Sequence, residues 1–487
     1  MFIKKAFLIT ASVYVLLFAL PIIVYFSVSG HQFLDRWDDN WMVLNYYTAD
    51  GLSLQNLAAI FNETNNGQYS PVNQLIYTIL FSIFGADPRV FHLASVIYHA
   101  INSCLVFTFA KKLLGLRQGI ELAPKNSKGR KDESRDLRLI SGNGDLYERL
   151  LRFFRFKNVT FQRPQLVTVV AFITALLFSV HPVNTESVAW ISASKIPLYT
   201  MFGLLALLCY MRYLQSDRMG WLAGCGILFV LSFGCKEQAV ALPLALPLID
   251  WYAGRDFKKK KLWFEKIPFL ALVLLGGLYT MSLRNINFVE YYAGYPLWQR
   301  LIFACYALTE YPTKLIVPIN LLYIYPFPMP PGDSLPLRFL IYPVIFAAIT
   351  GVIVYYRKHA LLVFCTLFFV LNVSLTLHIL SMSRVTIVAD RWIYLSGIAF
   401  FMAIAWYAIK YFLTLSKLQK IAAILAFVIY LFYLTGYTMK RSEVWHDNSS
   451  LKKEINDLIK QREDYEPEEI EKIQENTMNE TNDETQQ

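Results

Sequence analysis

The sequence predicts an all-α polytopic membrane protein, and three observations carry that expectation. Of 487 residues, 55% are hydrophobic, 16% aromatic and only 17% charged, whereas an ordinary soluble domain carries about 25% charged residues. The apolar residues fall into runs of about 20, the length an α-helix needs to cross the hydrocarbon core. The mean hydropathy is +0.38, and the Lys and Arg behind the net charge of +10 sit in short blocks between those runs. Cytoplasmic loops show that placement, so the basic charge is not read as a nucleic-acid surface.

Taken in chain order, about 11 transmembrane helices are expected, near 6–28, 90–114, 165–181, 194–214, 219–235, 238–252, 265–283, 338–356, 360–380, 391–413 and 421–438. The first follows MFIKK; its apolar run is too long for a signal peptide and no small-residue cleavage site follows, so an uncleaved span is expected. Two further apolar stretches, 71–84 and 298–317, are short or broken and read as interfacial or re-entrant helices. The basic blocks at Lys4–Lys5, Lys111–Lys112 with 115–164, Arg212–Arg218, Lys258–Lys261, Arg357–His359 and Lys410–Lys420 all fall on one side when the spans alternate. By the positive-inside rule that side is cytoplasmic, which puts the N-terminus inside and the C-terminus outside.

Residues 1–440 form one membrane domain with a cytoplasmic insert at about 115–164, where YERLLRFF at 147–154 reads as a short surface helix. Residues 441–487 are expected as a short acidic extramembrane tail, one helix and then disorder. No tandem repeat is visible in it. The six cysteines are scattered through apolar segments without CxxC spacing, so neither zinc site nor disulfide framework is implied.

With this topology the polar motifs converge on the non-cytoplasmic face. FLDRWDDNW places Asp38 and Asp39 side by side just past the first span. A membrane-interface belt explains the neighbouring tryptophans. Adjacent carboxylates repel each other, which raises the pKa of one and suits it to general-base work. The turn SVHPVNTESVAWISASKIP carries His181, Glu186 and Lys195. A connecting turn accounts for its proline and small polar residues but not for the two charges, each costing roughly 2.5–3.5 kcal/mol at membrane depth. CKEQ contributes Lys236 and Glu237, which either pair with each other or leave Lys236 to meet a lipid phosphate. SRVTIVADRW contributes Arg384, Asp390 and Arg391, guanidiniums being natural bidentate partners of phosphate. His92 and His99, seven apart on one helical face, suggest a metal pair only remotely, since no HxxxH or carboxylate companion exists at helical spacing.

The order WDD, YSPVNQLIYTILFSIFGADPRVFHLASVIYHAINSCLVF, HPVNTESVAW, CKEQ, ADRWIYLS and RSEVWHDNSSL resembles the GT-C membrane glycosyltransferases, in particular the transmembrane O-mannosyltransferases with tetratricopeptide repeats and their bacterial relatives. The likeness runs over roughly 1–450, without the luminal repeat array that follows in those proteins. It implies a GT-C-like bundle that transfers a sugar from a polyprenyl-phosphate donor to a hydroxyl of a protein, glycan or lipid, on the periplasmic face of a bacterial inner membrane or the lumenal face of the endoplasmic reticulum. It also implies a catalytic base in the first external loop, here Asp38 or Asp39. Lys195, Lys236, Arg384 and Arg391 are then expected to hold the leaving phosphate, a single displacement inverts the anomeric carbon, and Mg²⁺ or Mn²⁺ is optional. Two other classes fit parts of the pattern. A transporter or flippase would use the same charges as a path, though they gather on one face rather than at the midplane; a non-catalytic assembly protein would use the loops for docking.

Overall fold

The structure is a computed structural model and describes residues 2–122, 163–282, 294–379 and 386–460. The described helices, in chain order, are α1 (Phe2–Val24), α2 (Asp38–Met42), α3 (Tyr46–Ala49), α4 (Leu54–Asn62), α5 (Pro71–Phe84), α6 (Pro88–Leu122), α7 (Arg163–Val180), α8 (Thr185–Ala189), α9 (Lys195–Ser216) and α10 (Met219–Cys235). They continue with α11 (Ala245–Tyr252), α12 (Lys260–Phe264), α13 (Ile267–Ser282), α14 (Leu297–Ile316), α15 (Ile341–Tyr355), α16 (Ala360–Val373), α17 (Gly397–Thr414), α18 (Lys417–Ser442) and α19 (Asn448–Lys460).

The chain is an all-α polytopic membrane protein. Among the described residues six helices are long and apolar enough to cross a bilayer, and α7 with the Pro182–Ala189 segment, bent by 54°, forms either a broken span or a re-entrant loop. Every expected span overlaps helix, and the first is the 23-residue α1, but three of the eleven are shorter among the described residues. Helices α10 and α16 offer shorter apolar stretches, and the expected span 238–252 is a 3₁₀ turn, Glu237–Leu244, followed by the eight-residue α11. Pro243 inside that turn explains the break, because proline cannot donate the backbone bond an α-helix needs there. The 14-residue α5 rises only about 21 Å at about 1.5 Å per residue, short of the bilayer.

Helix α15 shows what the bundle faces. It is apolar throughout and none of its residues is buried in the protein, and only a hydrocarbon solvent tolerates that surface. Helices α6, α7, α9 and α17 instead pack on one another and form the core, with Phe178, Tyr210 and Phe109 fully enclosed. The long α18 begins with a capping box, the Ser416 hydroxyl accepting from Gln419 N–H and the Gln419 side chain accepting from Ser416 N–H, which satisfies two otherwise orphaned donors.

The two ends of the bundle differ in chemistry. At the end holding the α9–α10 turn, Asp250 accepts from the Tyr210 hydroxyl at 2.6 Å and pairs with Lys266 at 2.6 Å and Arg255 at 3.1 Å, while Glu265 binds Arg255 at 2.8 Å. These buried charges are mutually neutralised, as low-dielectric surroundings require. The opposite end gathers the loops after α1, α7, α10 and α14 with the segment before α17, and there the polar motifs meet.

Candidate active site

The first external loop folds back on itself through Asp39. The chain leaves the bundle after the 3₁₀ turn Phe26–Gly30, passes Trp37 in extended conformation and enters the single turn of α2. Asp39 Oδ2 reaches back to accept the N–H of Leu34 at 2.9 Å, and Oδ1 accepts the N–H of Ser192 at 3.0 Å together with the Ser192 hydroxyl. Both oxygens are therefore occupied and the residue is fully buried. A small apolar cluster of Met42, Val43, Tyr77, Phe91 and Ile191 lies beneath the loop. The Tyr77 hydroxyl bonds to Ile191 O at 2.7 Å and to the Ser194 hydroxyl at 2.8 Å. Asp39 and Tyr77 thus clamp the loop to the segment after α8.

Asp38 has the opposite environment. It is half-buried, and its carboxylate makes no hydrogen bond or ion pair among the described residues. Among the described residues no group of three or more His, Cys, Asp or Glu side chains is placed to hold a metal ion.

Facing this loop is Glu186, 1% exposed in the bend after α7. Its Oε1 pairs with the Arg391 guanidinium and its Oε2 accepts the Arg391 backbone N–H at 2.8 Å. The guanidinium carbon lies 5.7 Å from the rings of both Trp190 and Trp392, a geometry in which the cation is attracted to the ring faces. One guanidinium nitrogen is spent on Glu186; the others make no hydrogen bond among the described residues. Asp390 is turned away from it. Its Oδ1 accepts from Tyr325 at 2.8 Å, and Lys314, lying 4.3 Å from the Tyr325 ring centroid, is its neighbouring cation.

The remaining expected residues are distributed unevenly. Lys195 is drawn to the first loop, its ammonium donating to Gln68 Oε1 at 2.6 Å. Lys236 and Glu237 lie half-buried at the start of the 3₁₀ turn before α11. His181 caps the Pro182–Asn184 turn, its Nδ1 accepting from Val183 N–H at 3.2 Å, a structural role that its place before Pro182 explains. His92 packs edge-to-face on His31 and bonds to Gln32 O at 3.3 Å. His99 instead bonds to Tyr394 at 2.7 Å and to Ser179 O at 3.2 Å, so the two histidines do not form a pair. Arg384 lies outside the described residues, as do the 147–154 segment and the acidic run after 460.

Two parts of this end had no counterpart in the sequence reading, and a third was expected as a helix but not as part of the site. Tyr323 sits in the loop after α14, its ring in edge contact with Trp37 at 6.1 Å and Trp190 at 5.6 Å; a cluster of aromatics and prolines, LLYIYPFPMPP, is its one sequence signal. Helix α19, in the segment expected as a tail, is built into the site. Asn448 donates to Asp35 at 2.5 Å and accepts the Arg36 N–H at 3.3 Å, and Gln32 N–H donates to His446 O at 2.9 Å. A shallow, open groove also lies beside α2, lined by Met42, Tyr47, Glu63, Asn65, Gln68 and Gln74 among others.

The buried carboxylates set a pH dependence. Burial pushes Asp39 up to about 6 against the pull of its three donors, and burial pushes Asp390 up to about 7 against its cations and Tyr325. A raised folded-state pKa contributes stability that is present below the unfolded value and lost as pH rises through the folded one. This contribution of the two carboxylates is therefore lost as pH rises from about 4 to about 7. Asp390→Asn keeps an acceptor for Tyr325 and removes the titration, so the thermal midpoint of this variant should gain on that of the unmodified chain as pH rises across that range. A difference between the two that stays constant with pH would remove Asp390 as a contributor.

No family model matches the chain, and no solved structure matches it. Among curated proteins it is similar to a protein O-mannosyl-transferase of Caenorhabditis elegans, 22% identical over 323 residues that make up 64% of this chain and 38% of that protein. It is also similar to protein O-mannosyl-transferase TMTC2 of Mus musculus, 24% identical over 199 residues, 40% of this chain and 18% of that protein. A third relative, protein O-mannosyl-transferase Tmtc1 of Drosophila melanogaster, is 23% identical over 231 residues, 44% of this chain and 21% of the relative. The chain thus spans less than two-fifths of the length of each of these relatives.

Proposed function

We propose that the chain is a GT-C type glycosyltransferase that moves a hexose, mannose first among the candidates, from a polyprenyl-phosphate donor to a hydroxyl on the non-cytoplasmic face. The observation that carries this reading is the Asp38 carboxylate, unpaired among the described residues, at the same end as the Arg391 guanidinium, which keeps nitrogens uncommitted among those residues. A base with no internal partner is free to accept a proton, and a partly free guanidinium suits a phosphate. The relatives named as protein O-mannosyl-transferases supply the sugar and favour a protein hydroxyl as acceptor.

In this reading the acceptor O–H gives its proton to Asp38 as the oxygen forms a bond to the anomeric carbon. The bond from that carbon to the phosphate oxygen breaks, and the polyprenyl phosphate leaves with the electron pair. One displacement inverts the anomeric centre. Asp39 holds the loop while Asp38 reacts, and Arg391 meets the phosphate. A monophosphate leaving group met by a guanidinium needs no metal, so Mg²⁺ or Mn²⁺ is dispensable.

The test is direct. Purified protein in lipid nanodiscs is given polyprenyl-phosphate mannose and a Ser/Thr-rich peptide, and the peptide is analysed by mass spectrometry and NMR. A mannosylated peptide with inverted anomeric configuration is the expected result. Absence of transfer from every polyprenyl-phosphate hexose, or retention of configuration, would overturn the reading.

A further inference from the structure

Among the described residues, the charged donors at the end proposed to meet the phosphate are largely committed. One guanidinium nitrogen of Arg391 and its backbone N–H are taken by Glu186, and the Lys195 ammonium is bonded to Gln68. A phosphate with its negative charge needs several donors at once. Two neutral donors belong to residues near Arg391, whose guanidinium carbon lies 5.7 Å from the Trp190 ring and whose charge acts on the Tyr323 phenol. The buried Trp190 Nε1–H has no hydrogen-bond partner, and the Tyr323 hydroxyl has none among the described residues. Buried donors are nearly always bonded, so the Trp190 orphan calls for a ligand or water, and the half-buried Tyr323 hydroxyl is open to the same partner.

Tyr323 is held where such a ligand would sit. Its ring lies between Trp37, the residue preceding Asp38, and Trp190, over whose ring Arg391 is placed. The charges acting on its phenol are Asp38, then Arg391, Glu186 and Asp39. Burial first and Asp38 second push its pKa up, so it stays a proton-bearing donor at any physiological pH. Its backbone is fixed from the far end of the chain. Tyr323 N–H donates to Glu454 Oε1 at 3.0 Å, and Glu454 Oε2 is held by Arg441 at 2.5 Å. Helix α19, which carries Glu454, is also bonded through Asn448 to the loop bearing Asp38.

We propose that Tyr323 donates its phenolic hydrogen to the phosphate of the lipid-linked donor beside Arg391, and that Glu454 positions it. This rests on the glycosyltransferase reading of the same site and names a residue that reading does not contain. The contact is a hydrogen bond to a phosphate oxygen; no proton changes owner. As charge grows on the leaving phosphate the bond strengthens, and loss of one such donor lowers turnover by about 10²- to 10³-fold.

The experiment pairs a binding readout with turnover. Tyr323→Phe, Glu454→Gln and the double variant are purified in nanodiscs, and polyprenyl monophosphate without sugar is titrated against tryptophan fluorescence. Tyr323→Phe is expected to weaken that binding by about tenfold and to lower kcat by at least about 10²-fold, with an unchanged thermal midpoint. Glu454→Gln is expected to show a smaller loss of both, and to add nothing further on the Tyr323→Phe background. That non-additivity marks action through the phenol, since a merely structural glutamate would cost the same in either background. Binding and turnover of Tyr323→Phe equal to those of the unmodified chain would overturn the proposal. If the unmodified chain binds polyprenyl phosphate but transfers nothing, the transferase reading fails while the Tyr323 contact is still decided by binding. If it does not bind polyprenyl phosphate, both fall.

Discussion

Replacing Asp38 by Asn is expected to lower sugar transfer by about 10²- to 10⁴-fold, the contribution of a well-placed general base, while leaving the thermal midpoint in detergent unchanged. The Asp38 carboxylate makes no hydrogen bond among the described residues, so its conversion to an amide breaks no internal contact. Asp39→Asn should behave in the opposite way. The amide can present only one acceptor oxygen where Leu34 N–H, Ser192 N–H and the Ser192 hydroxyl all need one. At least one buried donor is left unsatisfied, at a cost of about 1–3 kcal/mol, and the loop carrying Asp38 loosens with it. The two variants thus separate by assay: Asp38→Asn is stable and inactive, and Asp39→Asn is destabilised with activity falling in proportion to the displaced loop. Stable, inactive Asp39→Asn beside active Asp38→Asn would exchange the two roles.

The contrast between these neighbours shows where sequence reading ends. Composition and apolar run length determine an all-helical membrane chain, because a lipid solvent leaves the backbone almost no alternative to helix. They fail at 238–252, where a 3₁₀ turn containing Pro243 shortens a span that hydropathy alone counts as whole. In the candidate site, WDD, HPVNTES and ADRW are legible as charges placed beside lipid, where charge is expensive and so carries information. Which aspartate is occupied depends on Ser192, 153 residues away, and a contact of that range leaves no local trace. Tyr323 was missed because tyrosine in an external loop is unremarkable at membrane interfaces. Helix α19 did leave a signal: Leu451, Ile455 and Leu458 recur at helical spacing ahead of the acidic run. Its mate, the Asp35–Arg36 turn, lies over 400 residues earlier, so the pattern announced a helix but not its docking place.

The Glu186–Arg391 pair has the largest expected effect on stability and chemistry together. Glu186 is 1% exposed and both its oxygens serve Arg391. Glu186→Ala leaves a guanidinium in a low-dielectric site without its main counter-charge, a change that costs about 3–5 kcal/mol. Asp38 is then the nearest anion known to act on Arg391, and pairing with it would quench the proposed base, so transfer should vanish along with stability. Arg391→Lys keeps the charge but not the planar fork that spans Glu186 and a phosphate, and should retain more stability than activity. The double variant Glu186→Leu with Arg391→Met separates the roles. Replacing both members of a buried pair by apolar residues of similar volume is often neutral or stabilising, so the thermal midpoint should recover toward that of the unmodified chain, while transfer stays lost because no guanidinium remains for the phosphate. If activity returned with the fold, the pair would be scaffolding alone, and the anion site would have to be rebuilt around the Trp190 and Tyr323 donors.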